Sequence, residues 1–212
     1  MSKFKAALAA LIPLAVAGCS TEGQVTGAGV IVNRSACPAV AIPAATGDVT
    51  LFNPENSRDE NAIDVVATMT NVRSTCDETG NVIATNVTFD VLAQRRDARG
   101  ARDVVLPYFA AAVQGGTNVV SKSIGRVGLH FADGQLRAQT SGSATSQVQR
   151  AAVTLPEDVR RQVTRERKPG DVDAAIDPMA DPKVRDAVRA ATFEVLVGFQ
   201  LTRDQLAYNA TR

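Results

Sequence analysis

The chain has 212 residues, and its 23 Lys and Arg residues nearly balance its 22 Asp and Glu residues. It has a single His, no Trp and only 4% aromatic residues, so it offers few of the rings on which sugars and bases stack. Because no excess of positive charge is present to attract phosphates, the composition argues against nucleic-acid binding and against a carbohydrate groove. The length suits one large domain or two small ones.

The first 19 residues have the composition of a bacterial secretory leader. Lys3 and Lys5 precede a run of small and apolar residues from 6 to 16, and small residues then lead to Cys19. The apolar run is shorter than the roughly 20 residues that span a bilayer core, so it predicts a cleaved leader rather than a transmembrane anchor. With a cysteine directly after the small residues, this segment resembles the signal peptides of bacterial lipoproteins.

The resemblance implies how the mature chain is anchored. Residues 1 to 18 are the signal peptide that is removed, and Cys19 then carries a diacylglycerol and an acylated amine. Two or three acyl chains hold a protein firmly at a membrane, whereas a single chain binds marginally. Ser20 follows the cysteine where inner-membrane lipoproteins of enteric bacteria have Asp. This predicts the periplasmic face of the outer membrane, with placement in the inner membrane or at the cell surface left open.

The segment after the leader is a predicted tether, and the two remaining cysteines form a predicted bridge. Residues 19 to 34 are rich in Gly and Thr and have no apolar period, which indicates a flexible tether between membrane and fold. Cys37 and Cys76 lie in a chain expected in the oxidising periplasm, so we expect one structural disulfide between them. The alternative, a redox pair, is less favoured because neither cysteine lies in a C-x-x-C motif.

Alternation of apolar and polar residues predicts most of the remaining chain to be β-strand. The clearest runs are 63 to 76, 87 to 93, 127 to 131 and 193 to 201, and Gly-, Asn- and Asp-containing turns separate them. The stretch from 136 to 155 is polar but has β-forming residues. The run from 104 to 113 is apolar on both faces and contains Pro107, which predicts either a buried strand or an edge strand kinked by the proline.

A segment of different composition, rich in Arg, Asp and Pro, interrupts the strands from about 156 to 191. Pro156 followed by two acidic residues is typical of a helix start, and it predicts a helix that continues to Val163. A second short helix is predicted from Asp181 to Arg189. We interpret the segment as a helical insertion before the last strand, and the alternative is a disordered charged loop.

Seven or eight short strands and a long-range cysteine pair predict one mainly β domain over residues 35 to 212. The predicted fold is an antiparallel β-sandwich of immunoglobulin-like architecture, with the small helical insertion at about 156 to 191. The tryptophan that immunoglobulin domains pack against their bridge is missing, so the assignment is to an architecture and not to that family.

The residues that carry chemistry in most enzymes are few in this chain. His130 is the only histidine, and its alternation with Val127, Leu129 and Phe131 predicts that it faces solvent or the polar side of a sheet. Two acidic clusters, at 53 to 60 and 171 to 181, lack the ordered D-x-D-x-D-G spacing of calcium loops. We therefore expect no catalytic residues, no metal site and no cofactor.

Two hypotheses for function follow from these observations. The first is a non-enzymatic interaction or assembly module of the envelope, with Arg160, Arg161 and Arg165 of the insertion as candidate residues for binding a protein partner. The alternative for these arginines is a salt-bridged exposed helix, because acidic residues are interleaved with them. The second is a periplasmic carrier or sensor that holds an apolar small molecule or a lipid between its sheets. Its basis is the stretch from 104 to 109, which is more apolar than one buried face requires. A hydrolase would need a site that the sequence does not let us assemble.

Overall fold

The structure is a computed structural model, and it describes residues 35–165, 170–172 and 175–211 together with the backbone of two N-terminal strands. In chain order the strands are β1 (Gly23–Thr26), β2 (Gly29–Val32), β3 (Ala39–Ala41), β4 (Asp48–Phe52), β5 (Ile63–Asp77), β6 (Val82–Arg95), β7 (Arg102–Gln114), β8 (Asn118–Phe131), β9 (Arg137–Gln149) and β10 (Phe193–Phe199). The α-helices are α1 (Arg150–Val153), α2 (Glu157–Thr164), α3 (Pro182–Ala190) and α4 (Arg203–Thr211). Short 3-10 helices occupy Glu60–Ala62 and Pro178–Ala180.

The strands of the domain form two four-stranded sheets. Sheet I has the strand order β3-β10-β7-β8, and sheet II has the order β4-β5-β6-β9. The ladders within the two sheets are antiparallel, except that β3 runs parallel to β10. The prediction of a mainly β chain with antiparallel sheets is confirmed.

One hydrophobic cluster takes side chains from both sheets, so the two sheets face each other across it. Alternate residues of each strand point into this cluster, as the period of two predicts. Its most deeply buried members, each at most 2% exposed, include Val65 and Phe89 from sheet II and Leu106, Phe131 and Val195 from sheet I.

Tyr108 connects the two sheets along the side where β8 and β9 are the outer strands. Its hydroxyl donates to the carbonyl oxygen of Ser143 in β9 at 2.7 Å, and its ring meets the ring of Phe89 edge-on at 4.9 Å between centroids. A Cβ at Gly125 would lie 2.3 Å from the Tyr108 ring, and one at Gly142 would lie 2.4 Å from the Phe89 ring. Both glycines are therefore needed so that the two rings can lie against the backbone.

The doubly apolar run forms β7, an inner strand between β10 and β8. The alternative of an edge strand is therefore wrong. The carbonyl of Pro107 accepts from the N–H of Gln200, just beyond the end of β10. Because the N and C=O of a strand residue point to the same side, the missing N–H of the proline falls where β10 has ended. The proline therefore removes only the last hydrogen bond of the β7–β10 ladder, the one that a backbone N–H at this position would donate to Gln200.

Helices α2 and α3 lie in the segment predicted to be a helical insertion between β9 and β10. The prediction placed the start of the first helix at Pro156, and the helix begins one residue later. Each helix buries one valine, Val159 at 1% exposure and Val184 at 0%. Asp181 caps α3, and the side-chain amide of Gln114 in β7 donates to the carbonyl of Ala190. The end of α3 is thereby attached to sheet I.

Two further elements lie where none was predicted. Strands β1 and β2 pair antiparallel inside the segment predicted as a flexible tether, and the rest of that segment lies outside the described residues. At the other end, α4 follows β10. Thr202 and Gln205 exchange hydrogen bonds at its start, which is a capping box. The helix packs on β4, where the rings of Phe52 and Tyr208 meet edge-on at 5.2 Å.

Candidate interaction surfaces

The outer face of sheet I, turned away from the core, is apolar. We call it the apolar face, and its members come from β7, β8 and β10. Val105 and Ile124 are 59% and 62% exposed, large values for side chains of this type. The exposed or half-buried members of the face are Val105, Pro107, Phe109, Ile124 and Leu196, and Ala111 beside them is buried at 5% exposure.

The register of the strands brings these side chains together. Phe109 of β7 lies opposite Ile124 on β8, and Ala111 lies opposite Leu196 on β10. Directly opposed residues in an antiparallel ladder have adjacent side chains on one face. Because β7 is apolar at every position from 104 to 113, it supplies one row of side chains to the core and a second row to the outer face. The apolar face is the second row.

Charged side chains border the apolar face on the β8 side. The ammonium of Lys122 lies 4.9 Å from the centroid of the Phe109 ring, a cation–π contact. Arg126 is exposed opposite Pro107. Further along β8, Nδ1 of His130 lies 2.7 Å from a carboxylate oxygen of Asp103, and both side chains are mostly exposed. The prediction that His130 faces solvent is correct.

The outer face of sheet II has the opposite chemistry. We call it the polar face, because its exposed side chains are mainly hydroxyls and amides. Asp90 at its centre accepts from the amide of Asn71 at 2.7 Å and from the hydroxyl of Ser141 at 2.8 Å. These hydrogen bonds, the one from Asn71 first, lower the pKa of Asp90. Other members of the face are Thr68, Thr70, Asn86, Thr88, Gln94, Gln139, Ser143 and Thr145.

A cavity of about 1050 Å³ opens on the polar face, near the ends of β6 and β9. Ile63, Val66 and Leu92 are its large apolar lining residues, and the polar groups of the lining include those of Gln94, Arg137 and Gln139. A lipid carrier needs an enclosed apolar space. This cavity lies outside the sheets and has a mixed lining, so it does not correspond to the space that the carrier hypothesis places between the sheets.

Arg95, at the end of β6, is buried at 2% exposure and holds two loops together. Its guanidinium donates to four backbone carbonyl oxygens at 2.7 to 2.9 Å and lies 5.3 Å from the centroid of the Phe131 ring. The acceptors belong to the loops β6–β7 and β8–β9, which pass between the sheets. They are Ala98, Gly100, Ala132 and Gln135.

Cys37 and Cys76 form the predicted disulfide, with Cα atoms 6.0 Å apart. Cys37 precedes β3 of sheet I and Cys76 lies in β5 of sheet II, so the bridge joins the two sheets at the end opposite Arg95. The carboxylate of Glu78 accepts from the N–H of Ala36 at 3.0 Å, and the guanidinium of Arg150 donates to the carbonyl of Glu78. The N-terminal end of the domain is therefore fixed to the β5–β6 turn.

The three arginines predicted to bind a partner lie on or just after α2. Arg160 donates to the carboxylate of Glu157 through Nε at 2.9 Å, and Arg165 lies 3.8 Å from Asp171. Arg161 is exposed. Two of the three already have acidic partners in the chain, so their charge is less available to a partner than the sequence indicated.

Asp158 and Lys183 connect α2 to α3. Their side chains are 2.7 Å apart. The hydrogen bond from Lys183 lowers the pKa of the Asp158 carboxyl, and the pKa of Lys183 is raised by the same contact. This exposed pair aligns the two helices but adds little stability.

Other predicted features fall outside these surfaces. Cys19 lies outside the described residues, as do Asp173 and part of the second acidic cluster. Within the described residues, no three His, Cys, Asp or Glu side chains are grouped so that they would hold a metal ion. In the same part of the chain, no helix has both the length and the apolar character needed to cross a membrane.

Sequence reasoning used the apolar run of β7 for a lipid site between the sheets and did not find the apolar face. The signal was present, since Val105 and Phe109 alternate with the buried Val104 and Leu106.

No family model, no curated protein and no solved structure matches this chain.

Proposed function

We propose that this chain is a lipid-anchored protein of the bacterial outer membrane that acts as a non-enzymatic interaction or assembly module of the envelope. Its docking surface is the apolar face of sheet I, and its occupant is a protein partner. The observation that carries the proposal is the exposure of Val105 and Ile124 beside Phe109 and Leu196 on one continuous sheet face. Contiguous apolar surface of this kind marks sites that another molecule covers.

The strand next to the apolar face favours a protein over a lipid surface. β8 is the last strand of sheet I, so it presents backbone N–H and C=O groups along one edge of the face. A lipid tail leaves such groups without hydrogen-bond partners, which costs roughly several kcal/mol for each buried group. A protein strand pairs with them. The opposite edge of sheet I is β3, the strand that follows the predicted anchor. The edge at β8 is therefore the one farther along the sheet from the strand that leads to the anchor.

The anchor is proposed from the leader alone. Acylated Cys19 would hold the chain at the periplasmic face of the outer membrane, with residues 20 to 34 between the lipid and the domain. Cys19→Ala should leave the protein unprocessed or in the soluble fraction after cell disruption. Tight association of that variant with outer-membrane vesicles would contradict the proposed anchor. It would not bear on the docking surface, which has a separate test.

We also propose that the two sheets form a sandwich of broadly immunoglobulin-like architecture. The long-range disulfide between the sheets supports this likeness. The likeness does not extend to strand order, because β4, β5 and β6 are consecutive neighbours in one sheet, whereas immunoglobulin domains divide their consecutive strands differently. An experimental structure at high resolution tests the proposal through the angle between the sheets, which is close to 30° (roughly) in aligned sandwiches.

The carrier hypothesis is the second candidate function. The apolar run at 104 to 109, on which it was based, now has another explanation. Val104 and Leu106 fill the core at 6% and 2% exposure, while Val105 and Phe109 belong to the apolar face. A lipid released in stoichiometric amount by solvent extraction of the purified protein would favour the carrier. Extraction without a defined lipid favours the docking module.

Site-specific photo-crosslinking in intact cells tests the proposed function. A photo-reactive residue is placed at Val105 or Ile124 on the apolar face, and at Thr88 or Gln139 on the polar face as matched controls. We expect a discrete protein adduct from the first pair and none of comparable yield from the second. Adducts with lipid alone, or equal protein adducts from both faces, would contradict the proposal.

A further inference from the structure

The first half of β8 is open to solvent on both faces. Residues 118 to 124 are all exposed, and β8 has a hydrogen-bonded neighbour, β7, on one side only. The register of the ladder shifts between Ala112 and Val113, and from Ser121 to Phe131 the pairing is regular. An exposed, regular edge strand is a template for pairing with another strand.

The hydrogen-bond pattern shows which residues of β8 point their backbone groups toward the free edge. The carbonyl of Pro107 bonds toward β10, so the next residue of β7, Tyr108, bonds toward β8. Gly125, opposite Tyr108, therefore bonds back to β7. Successive residues alternate, so the N–H and C=O groups of Ile124, and those of the residues two before and two after it, point away from β7.

These three residues carry the side chains that border the apolar face. They are Lys122, Ile124 and Arg126, and the same alternation places all three side chains on the outer side of sheet I. Within the part of the chain that the structure describes, no carboxylate forms an ion pair with Lys122 or Arg126. Two cations therefore flank one exposed isoleucine along the free edge.

We propose that β8 binds an extended segment of the partner as an added antiparallel strand, with the sequence pattern acidic-x-apolar-x-acidic. This inference rests on the proposed function and specifies the partner's chemistry. The acidic residues of the segment lie opposite Lys122 and Arg126, and its apolar residue lies opposite Ile124. Cross-strand pairs of opposite charge and of apolar residues each stabilise an antiparallel ladder, while the backbone bonds supply affinity independent of sequence.

Charge disfavours a second copy of this chain as the added strand. The antiparallel register that sets Ile124 against its own copy places Lys122 opposite Arg126 on both sides. Like charges directly opposite each other destabilise a ladder. An acidic segment removes this repulsion and neutralises both cations.

The test uses the full, anchored protein in mild detergent and a synthetic peptide in which glutamate, valine and glutamate alternate with threonine. We expect the peptide to bind, and Lys122→Glu with Arg126→Glu to weaken binding about tenfold or more while creating affinity for the matching lysine peptide. Arg137→Glu, one charge reversal of the same kind on the polar face, should leave binding unchanged. Equal binding of acidic and lysine peptides by the unchanged protein would overturn the proposal, as would self-association through β8.

Ile124→Pro provides a second test that does not depend on charge. The N–H of Ile124 points away from β7, so proline there removes an edge donor without removing a ladder bond. We expect loss of peptide binding with the same unfolding midpoint as the unchanged protein. If the proline variant fails to fold, a peptide N-methylated at its valine replaces it, and undiminished binding of that peptide would contradict strand addition.

Failure of this inference is distinguishable from failure of the proposed function. If a photo-reactive residue at Val105 captures a partner and the capture survives the charge reversal at Lys122 and Arg126, the apolar face docks a partner but β8 adds no strand. If Val105 captures no protein, the docking surface itself is wrong.

Discussion

The outer faces of the two sheets cover the same core but have opposite chemistry. On the polar face, cross-strand hydrogen bonds satisfy the side chains within the sheet, as Asn71, Asp90 and Ser141 show across three neighbouring strands. On the apolar face, Val105, Phe109 and Ile124 have no such bonds to make and remain partly in water. Water can solvate the polar face. Covering the apolar face with another molecule lowers the free energy, because it removes apolar side chains from water.

The difference originates in one strand from each sheet. β6 alternates buried apolar and exposed polar residues along almost its whole length, which is typical of an antiparallel strand with one solvated face. β7 is apolar at both sets of positions from 104 to 113. From 104 to 107, buried residues thus alternate along β7 with exposed apolar ones that the core does not require, whereas residues 110 to 113 are all buried.

The largest predicted loss of stability comes from the core-facing side of β6, and it is compared with a substitution on the outward-facing side of the same strand. Phe89→Ala removes a core ring and its contact with Tyr108, and should lower the free energy of unfolding by about 3–5 kcal/mol. Leu92 lies on the same strand and points outward at 48% exposure, so Leu92→Ala should cost less than about 1 kcal/mol. Urea unfolding of both variants checks this. Similar losses for the two would mean that the assignment of inner and outer sides is wrong.

The disulfide fixes the two faces relative to each other, and its removal should have the next largest effect. Cys37→Ala with Cys76→Ala opens a loop between residues 39 apart in sequence, which should cost about 3–4 kcal/mol in the chain-entropy model. Thermal unfolding with and without reductant measures it. Reductant should destabilise the unchanged protein and leave the double variant as it was, and a reductant effect on both would point to another cause.

Arg95 joins the sheets at the end opposite the disulfide. Arg95→Met removes four part-buried hydrogen bonds to loop carbonyls, although Ala98 and Ala132 still accept from the backbone N–H groups of Gly134 and Gln135. The change should cost about 2–4 kcal/mol. Arg95→Lys keeps the charge but cannot reach all four acceptors, so it should recover only part of the loss. Denaturant midpoints of the two variants decide the matter, and equal stability of Met, Lys and Arg would show that the loops are held by other contacts.

The smallest predicted effect concerns acid and belongs to the polar face alone. Because the folded-state pKa of Asp90 is lowered below 3.8, its contribution to stability is present above that value and is lost as pH falls through the folded pKa. Asp90→Asn should therefore flatten the fall of the melting temperature between mildly acidic pH and pH values below 3.8. Asn71→Ala removes the main cause of the shift and should act in the same direction. An unchanged acid profile in both variants would contradict the assigned cause.

Much of the fold follows from the sequence where the period of two is clear. The strands β5 and β10 were predicted close to their observed bounds, whereas the prediction for β6 lacked residues 82 to 86 and the prediction for β8 covered only residues 127 to 131 of Asn118–Phe131. The disulfide followed because only two cysteines remain beyond Cys19. The pairing of β3 with β10, parallel and far apart in the chain, has no local signal. α4 had one in the Thr202 to Gln205 capping box, which the sequence reading missed.

The candidate site was harder to predict for a physical reason. A strand that is apolar on both sides does not reveal which side is covered by its own domain, because burial depends on strands distant in sequence. The run at 104 to 109 therefore fitted a lipid cavity as well as an outer docking face. The arginines of α2 are candidates by their charge, although the acidic residues interleaved with them already favour a salt-bridged exposed helix. Which acid pairs with Arg160 and which with Arg165 depends on the helix and its following turn, and the structure shows it.

Retention of a partner by charged variants of the two faces tests the central claim most directly. Val105→Asp and Thr88→Asp place the same charge on the apolar and the polar face, both at exposed positions where stability should change by less than about 0.5 kcal/mol. The full protein is purified from envelopes in mild detergent after crosslinking, and its recurrent partner is quantified by mass spectrometry. Loss of the partner from Val105→Asp with retention by Thr88→Asp is the predicted result. Retention by both, or loss from Thr88→Asp alone, would contradict the assignment of function to the apolar face.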